Sequence, residues 1–148
     1  MKTLYFDTSY LWRVYSTEPG HAGVKRLLRQ AEALATAWHG RAEFAAVLLR
    51  KRREGIDPME FLVGLDQQFQ LDCQTGLIQT LPLTDAVMGR LESTLRTAPP
   101  ETFLRAADAM HLACAVEHGF TEVYSNDRHF LAAAPLFGMK GIDIIGTL

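Results

Sequence analysis

Cysteines and long apolar segments are scarce in this 148-residue sequence. The two cysteines, Cys73 and Cys114, form no C-x-x-C motif, which argues against a disulfide framework or a thiolate metal site and predicts two buried free thiols. No apolar run approaches the roughly 18 residues that cross a membrane, and Asp7 interrupts the N-terminal run before it reaches signal-peptide length. We therefore expect a cytoplasmic protein with no membrane association.

An excess of charge of one sign is also absent. The chain has 15 Lys and Arg residues against 17 Asp and Glu residues, a formal net charge of −2, which argues against a uniformly basic nucleic-acid binder. The basic residues are nevertheless clustered, with four in succession at positions 50–53 and a second group formed by Lys25, Arg26 and Arg29. These clusters could contact phosphates, or they could be solvated helix ends, where the helix dipole favours positive charge.

Several common catalytic motifs are missing. The chain contains no G-x-x-x-x-G-K-[ST], G-x-G-x-x-G or G-x-S-x-G sequence, which excludes the P-loop triphosphatase, dinucleotide-binding and serine-hydrolase classes. Its five histidines show no H-E-x-x-H spacing, so zinc catalysis of that type is not expected. We interpret these histidines as surface or packing residues.

Short apolar runs alternate with longer segments of helical periodicity along the chain. Strands are predicted at residues 1–6, 33–37, 77–81, 122–124 and 142–145. Helices are predicted from a cap at Ser9, at residues 24–31, 41–54, 58–73 and 84–96, from a cap at Thr102 to Gly119, and from Asp127 to Pro135. Strands separated by helices, with no Asn-Gly hairpin signal, predict an α/β sandwich around a mainly parallel sheet, in one domain over residues 1–148.

Asp108 lies in a helical segment, residues 106–115, that is apolar on nearly every face. Helical spacing places it beside His111 and several apolar residues, so its carboxylate is expected to point into the protein. A buried charge needs a partner. Arg105 or His111 could provide one, or the carboxylate could bind a cation.

Three other acids occupy comparable positions. Asp7 and Asp127 follow predicted strands, at the edge of the sheet where α/β proteins place their active sites, and Glu43 begins an apolar helix. Each has an ordinary structural explanation as well. Asp7 can bond nearby loop amides, Asp127 can cap a helix, and the helix dipole can stabilise Glu43.

Taken together, Asp7, Glu43, Asp108 and Asp127 predict a metal site. Several carboxylates that converge without neutralisation would repel one another and raise one another's pKa values. A hard divalent cation removes that repulsion. Oxygen-only ligands favour Mg²⁺, with Mn²⁺ as the alternative, and such ions activate water in phosphodiester hydrolysis.

These motifs resemble those of the PIN-domain nucleases. The segments that carry the resemblance are F-D-T-S at 6–9, the helix of Glu43, R-A-A-D-A-M-H-L-A-C-A at 105–115 and S-N-D-R-H-F at 125–130, in the same order across essentially the whole chain. The short length and the Asp108 helix resemble the VapC-type toxins, which cleave RNA and are held inactive by a cognate antitoxin. The resemblance implies a three-layer α/β/α sandwich.

The resemblance also implies roles for individual residues. Asp7, Asp108 and Asp127 would ligate the metal directly or through water. Glu43 would ligate it or orient the attacking water, and Ser125 would support the metal shell through its hydroxyl.

Two further positions concern the substrate. Arg50 lies seven positions after Glu43, hence on the same helix face and roughly 10 Å along the axis, and together with Arg53 it is a candidate RNA contact. Phe44 departs from the family pattern, in which a smaller aliphatic residue is usual after the glutamate.

The implied function is a Mg²⁺-dependent endoribonuclease that serves as the toxin of a type II toxin–antitoxin pair. Its expected partners are an RNA substrate, a small antitoxin and a second copy of itself in a homodimer. The antitoxin is expected to reach the acids with an arginine and to dock on the helix bearing Leu11, Trp12 and Tyr15, or on the helix after it. Two alternatives remain open: a metal-dependent phosphohydrolase or DNA nuclease, and a non-catalytic PIN-fold RNA-binding module.

Overall fold

The structure is a computed structural model that describes residues 2–145, in which strands and helices alternate. The strands are β1 (Thr3–Tyr5), β2 (Ala33–Ala37), β3 (Ile78–Leu81), β4 (Glu122–Tyr124) and β5 (Lys140–Ile142). The helices are α1 (Thr8–Tyr15), α2 (His21–Leu28), α3 (Gly40–Glu54), α4 (Met59–Thr75), α5 (Asp85–Thr97), α6 (Ala106–Glu117) and α7 (Arg128–Ala133), and a 3₁₀ helix covers Ala134–Phe137.

All the strand pairings described are parallel. β2 lies between β1 and β3, and β4 pairs with β5. A parallel bridge between Phe6 and Tyr124 joins the two sets, so the strand order is β3-β2-β1-β4-β5. The N–H of Asp7 donates to the carbonyl oxygen of Tyr124 at 3.0 Å. β1 is therefore the central strand, and the residues that follow β1 and β4 meet at one edge of the sheet.

Helices cover both faces of this sheet. Because side chains alternate along a strand, Tyr5 packs with the apolar cluster of α5, α6 and α7, while Leu4 and Phe6 pack with the cluster formed by α1 to α4. The result is a three-layer α/β/α sandwich. The predicted fold is confirmed.

The apolar cluster formed by α1 to α4 contains an aromatic core. Phe44 is fully buried and stacks on Phe69 with ring centroids 3.7 Å apart, and its ring lies 5.0 Å from that of Trp12. The large residue after Glu43 thus fills the core. Leu11 and Trp12 are also buried there, so the expectation that they form a docking surface for a partner is wrong.

Two predicted helix starts differ from the structure. Asp7, not Ser9, is the N-cap of α1, because its Oδ1 accepts the N–H of Tyr10 at 3.1 Å. Helix α6 begins at Ala106 with Arg105 as its N-cap, and Thr102 lies before it in a turn, where its N–H donates to the carbonyl of Pro99. The predicted cap of α7 at Asp127 is confirmed by its bonds to the N–H groups of His129 and Phe130.

The last strand lies earlier than the predicted range of 142–145. Lys140–Ile142 pairs with Glu122–Tyr124, and the chain then leaves the sheet at Asp143. The Oδ1 atom of Asp143 accepts the hydroxyl of Tyr10 at 2.6 Å, which directs the chain towards α1.

The two cysteines are free: Cys114 is buried and Cys73 is half-buried, which corrects the prediction that both thiols are buried. Among the residues that the structure describes, no helix is long and apolar enough to cross a membrane.

Candidate active site

Asp7 is fixed between β1 and α1. Its side chain is buried, and both carboxylate oxygens accept hydrogen bonds: Oδ1 from the Ser9 hydroxyl at 2.6 Å and the Tyr10 N–H, and Oδ2 from the Ser125 hydroxyl at 2.5 Å. Burial raises the pKa of Asp7, and the bonds from Ser125 and Ser9 oppose that rise. These contacts leave the carboxylate a single orientation.

Ser125 and Asp127 follow β4 and lie beside Asp7. The buried Ser125 hydroxyl donates to Asp7 and accepts the N–H of Asp127 at 3.0 Å. Asp127 is exposed, and its Oδ1 caps α7 by accepting the N–H of His129 at 2.8 Å. Its Oδ2 accepts no hydrogen bond within residues 2–145, so capping occupies only half of this carboxylate.

Asp108 lies in the first turn of α6 and is half-buried. Within the described residues its carboxylate has no hydrogen-bond or ion-pair partner, and Arg105 is exposed without contacting it. The pKa of Asp108 is raised to about 6 overall. Burial is the largest cause, the charges of Asp127, Asp7 and Glu43 contribute to the rise, and His111 opposes it. The four predicted acids therefore share one electrostatic neighbourhood, and direct pairing with Arg105 is not observed.

Glu43 lies in the first turn of α3 and faces a different set of donors. Its Oε1 accepts the Thr8 hydroxyl at 2.8 Å and lies 2.6 Å from Nε2 of His111. Burial acts to raise the pKa of Glu43, but hydrogen bonding to His111 and Thr8 outweighs it and lowers the pKa overall. Glu43 is therefore ionised at neutral pH.

Sequence reasoning missed the residues behind Glu43. Nδ1 of His111 lies 2.7 Å from the Tyr5 hydroxyl, and the His39 ring lies 4.3 Å from the His111 ring. The sequence indicates His111 only as a possible partner of Asp108 or as a packing residue. The signal that could have identified it is its place one helical turn after Asp108, on the face that meets β1.

The donor set fits an oxygen-preferring divalent cation. Asp108 has no hydrogen-bond donor among residues 2–145, and its pKa is raised by burial and by its acidic neighbours, so a cation would supply the charge that it lacks. His39, Glu43 and His111 also place one possible ligand atom each within 4.8 Å of one another. That second group would hold an ion only after the contact between Glu43 and His111 had opened.

An open cleft of about 400 Å³ runs from Glu43 along α1 and α3. Its walls include Thr8, Ser9, Glu43 and Arg50. Arg50 is exposed, with Nε 3.7 Å from the carboxylate of Glu54. Of the two predicted RNA contacts, Arg50 therefore lines the same cleft as an acid of the site, whereas Arg53 is exposed on α3 and does not line it.

Comparison with known proteins identifies the family of this chain. The family model of the PIN domain matches residues 4–135. The chain belongs to the PIN-domain family. No curated protein matches the sequence.

Solved structures share this PIN-domain fold, and two of them are described as a toxin and as a member of a toxin–antitoxin family. VapC20 of Mycobacterium tuberculosis, described as a toxin that cleaves the sarcin–ricin loop, is 21% identical with a TM-score of 0.66, over 88% of this chain and 94% of that one. FitAcB of Neisseria gonorrhoeae is 16% identical with a TM-score of 0.68, over 96% of each chain. VapBC-5 of M. tuberculosis, a member of the VapBC family of toxin–antitoxin systems, is 17% identical with a TM-score of 0.65, over 96% and 98%.

The raised pKa of Asp108 predicts how the metal-free protein responds to pH. Because the folded state binds a proton at Asp108 more tightly than the unfolded state, this group adds stability below pH 3.8 that is lost as pH rises through about 6. We expect Asp108→Asn, which removes the charge, to raise the melting temperature in EDTA at pH 8 by about 2–6 °C. The difference from the wild type should narrow as pH falls to about 5.

The control is Asp66→Asn, on the surface of α4, where the carboxylate bonds to the side chain of Gln70. This variant should follow the pH dependence of the wild type. A lower melting temperature for Asp108→Asn at every pH would show that the Asp108 carboxylate stabilises the metal-free fold, contrary to this account.

Proposed function

We propose that this protein is a metal-dependent endoribonuclease and the toxin of a type II toxin–antitoxin pair. The observation that carries the proposal is the environment of Asp108. This half-buried carboxylate lacks a hydrogen-bond donor among the described residues, and its pKa is raised by burial and by three other acids. A site that keeps such a charge cluster without a protein cation is suited to an external one.

The residues proposed to hold Mg²⁺, or Mn²⁺ in its place, are Asp7, Asp108 and Asp127, directly or through water. When bound, the ion would supply positive charge to the phosphodiester and would lower the pKa of water. Ser125 would hold Asp7 in the orientation that the structure gives it, at a hydroxyl-to-carboxylate distance of 2.5 Å.

Glu43 is the proposed base. Its pKa is lowered overall, so it is ionised and can accept a hydrogen bond from the attacking water. Asp7 remains fixed by its three donors and does not compete for that proton. This assignment separates the group that orients water from the groups that hold the cation.

RNA is the proposed substrate, on two grounds. The cleft beside Glu43 is open and carries the basic side chain of Arg50, which suits an extended phosphate backbone. VapC20, which has the same fold, is described as cleaving an RNA loop. A DNA nuclease or a phosphohydrolase of small nucleotides would use the same acids, and a non-catalytic module would bind RNA without cutting it.

The purified protein is expected to cleave structured RNA with Mg²⁺ or Mn²⁺ and to stop when EDTA is added. Asp7→Asn should abolish cleavage, and Glu43→Gln should slow it by about 10²–10⁴-fold, the usual contribution of a general base. Glu60→Gln, an exposed first-turn glutamate of α4, is the matched control and should cleave at the wild-type rate.

The substrate panel for this assay includes single-stranded DNA and small nucleotides. Preferential hydrolysis of either would replace the RNA assignment, and RNA binding without cleavage would leave only the binding module. Wild-type activity in Asp7→Asn would refute the metal site itself.

Arg50 is proposed to contact the RNA backbone, and salt dependence tests it. Measured in an Asp7→Asn background that cannot cleave, Arg50→Ala should flatten the slope of log affinity against log salt by about 0.7, the value for one phosphate contact on a single strand. Arg53→Ala, on the same helix but outside the cleft, is the comparison and should change the slope less. Equal slopes for Arg50→Ala and the parent would show that Arg50 is a solvated surface residue that does not contact the RNA.

An antitoxin and a homodimer are the proposed partners. Support for the antitoxin comes from the toxin–antitoxin proteins that share the fold, and an arginine is the side chain best suited to bind the acids bidentately. Expression of the chain alone should arrest growth, Asp7→Asn should not, and co-expression of the neighbouring small open reading frame should restore growth. A wild-type chain that is harmless in its own host would refute the toxin role and leave the nuclease role standing.

A further inference from the structure

A buried chain of hydrogen bonds connects the central strand to Glu43. The Tyr5 hydroxyl lies 2.7 Å from Nδ1 of His111, and Nε2 of His111 lies 2.6 Å from Oε1 of Glu43. Tyr5 is fully buried and His111 is 1% exposed. We propose that Tyr5 and His111 are positioning residues that fix Glu43 with its second oxygen directed to the reaction, an inference that rests on the proposed function.

The direction of these hydrogen bonds follows from the donors present. Burial raises the pKa of Tyr5 well above its ordinary value, so the hydroxyl keeps its proton. Glu43 is ionised, so its Oε1 can only accept a hydrogen bond, and Nε2 of His111, 2.6 Å away, is the donor. A His111 ring with a single proton therefore carries it on Nε2, which leaves Nδ1 to accept the Tyr5 hydroxyl.

The Nε2–H tautomer gives Glu43 a fixed donor. Oε1 then accepts both from His111 and from the Thr8 hydroxyl at 2.8 Å. Oε2 accepts no hydrogen bond from the residues that the structure describes, so it is the oxygen available to water or a cation. The Nδ1–H tautomer would place the Nε2 lone pair against the carboxylate of Glu43. The two would repel each other, and Glu43 would lose this hydrogen bond.

The same geometry argues against His111 as a ligand of the cation in this conformation. Two atoms that share an ion at 2.0–2.1 Å and at right angles lie about 3 Å apart, whereas Nε2 and Oε1 lie 2.6 Å apart. Nε2 of His39 donates to the carbonyl of Ala107 at 2.8 Å. Burial lowers the pKa of His39, so this ring packs beside His111 in its neutral form.

Substitutions that keep or remove the Nε2–H donor test the proposal. His111→Leu should lower kcat for RNA cleavage by about 10–100-fold, the usual effect of losing a residue that orients a metal or active-site ligand, while KM changes by less than about 3-fold. His111→Gln, whose amide N–H can replace Nε2–H, should recover most of the loss. His118→Gln is the matched control, because His118 contacts the Pro82 carbonyl away from the acids, and it should leave kcat unchanged.

A second measurement does not depend on catalysis. In the metal-free wild-type protein, ¹⁵N-resolved NMR of the histidine rings should show His111 protonated at Nε2 and unprotonated at Nδ1. Tyr5→Phe removes the donor to Nδ1 while Glu43 still favours Nε2–H, so the Nδ1 resonance should shift to that of a ring nitrogen without a donor, and kcat should fall. This variant and His111→Gln keep the test possible if His111→Leu does not fold.

An Nδ1–H tautomer in the wild type, or a folded His111→Leu that cleaves as fast as the wild type, would overturn the positioning role while the nuclease assignment stands. Equal loss in His111→Gln and His111→Leu would overturn it as well. A wild-type chain that keeps the Nε2–H tautomer but cleaves no RNA would overturn the proposed function and leave the hydrogen-bond chain intact.

Discussion

Repulsion among carboxylates at one edge of the sheet is the constraint on which the rest of this structure depends. Asp7, Glu43 and Asp127 each act on Asp108 strongly enough to raise its pKa. Folding gathers these charges, which opposes stability, so each must be held by something nearby. The helices provide part of the stabilisation that these carboxylates need. Asp7 and Asp127 are N-caps, and Glu43 and Asp108 lie in first turns, so all four meet the positive end of a helix.

Hydrogen bonds divide the four acids into two kinds. Asp7, Asp127 and Glu43 each accept donors from the surrounding backbone or side chains, whereas Asp108 has none among the described residues. An acid with strong donors is oriented before any ligand arrives. The remaining uncompensated charge is concentrated at Asp108, between its better-satisfied neighbours. The electrostatic demand for a cation is therefore localised at one side chain within the cluster.

The acids and the parallel sheet could be predicted from the sequence because both leave local signals. A carboxylate inside an apolar helix, as at Asp108, or directly after a short apolar strand, as at Asp7, is visible in the order of residues. Contacts between distant segments leave no such signal. His111 and Glu43 are 68 positions apart, and His111 and Tyr5 are 106 apart. The hydrogen bonds that connect them therefore form only after the sheet, α3 and α6 have come together.

Two errors at element boundaries arise where a hydrogen-bonded contact overrides the local sequence pattern. Thr102 has the chemistry of a helix cap, but it forms a turn with Pro99 and α6 starts four residues later, at Ala106. The apolar residues after Gly141 predict a strand, but Asp143 bonds to Tyr10 on α1 and draws the chain out of the sheet. At Asp143 a tertiary hydrogen bond overrides the local preference, whereas at Thr102 a competing local turn does so.

The same division of donors links stability to function. The charge of Asp108 opposes the metal-free fold because three neighbouring acids repel it, and the same repulsion favours the binding of a divalent cation there. A ligand that binds only the folded state stabilises it according to its concentration relative to its Kd. The free energy lost by gathering acids in the empty protein is thus recovered when the site fills. Replacing Asp108 by a neutral residue would improve the empty fold and remove the reason for the cation to bind, which is the trade-off expected of an active site.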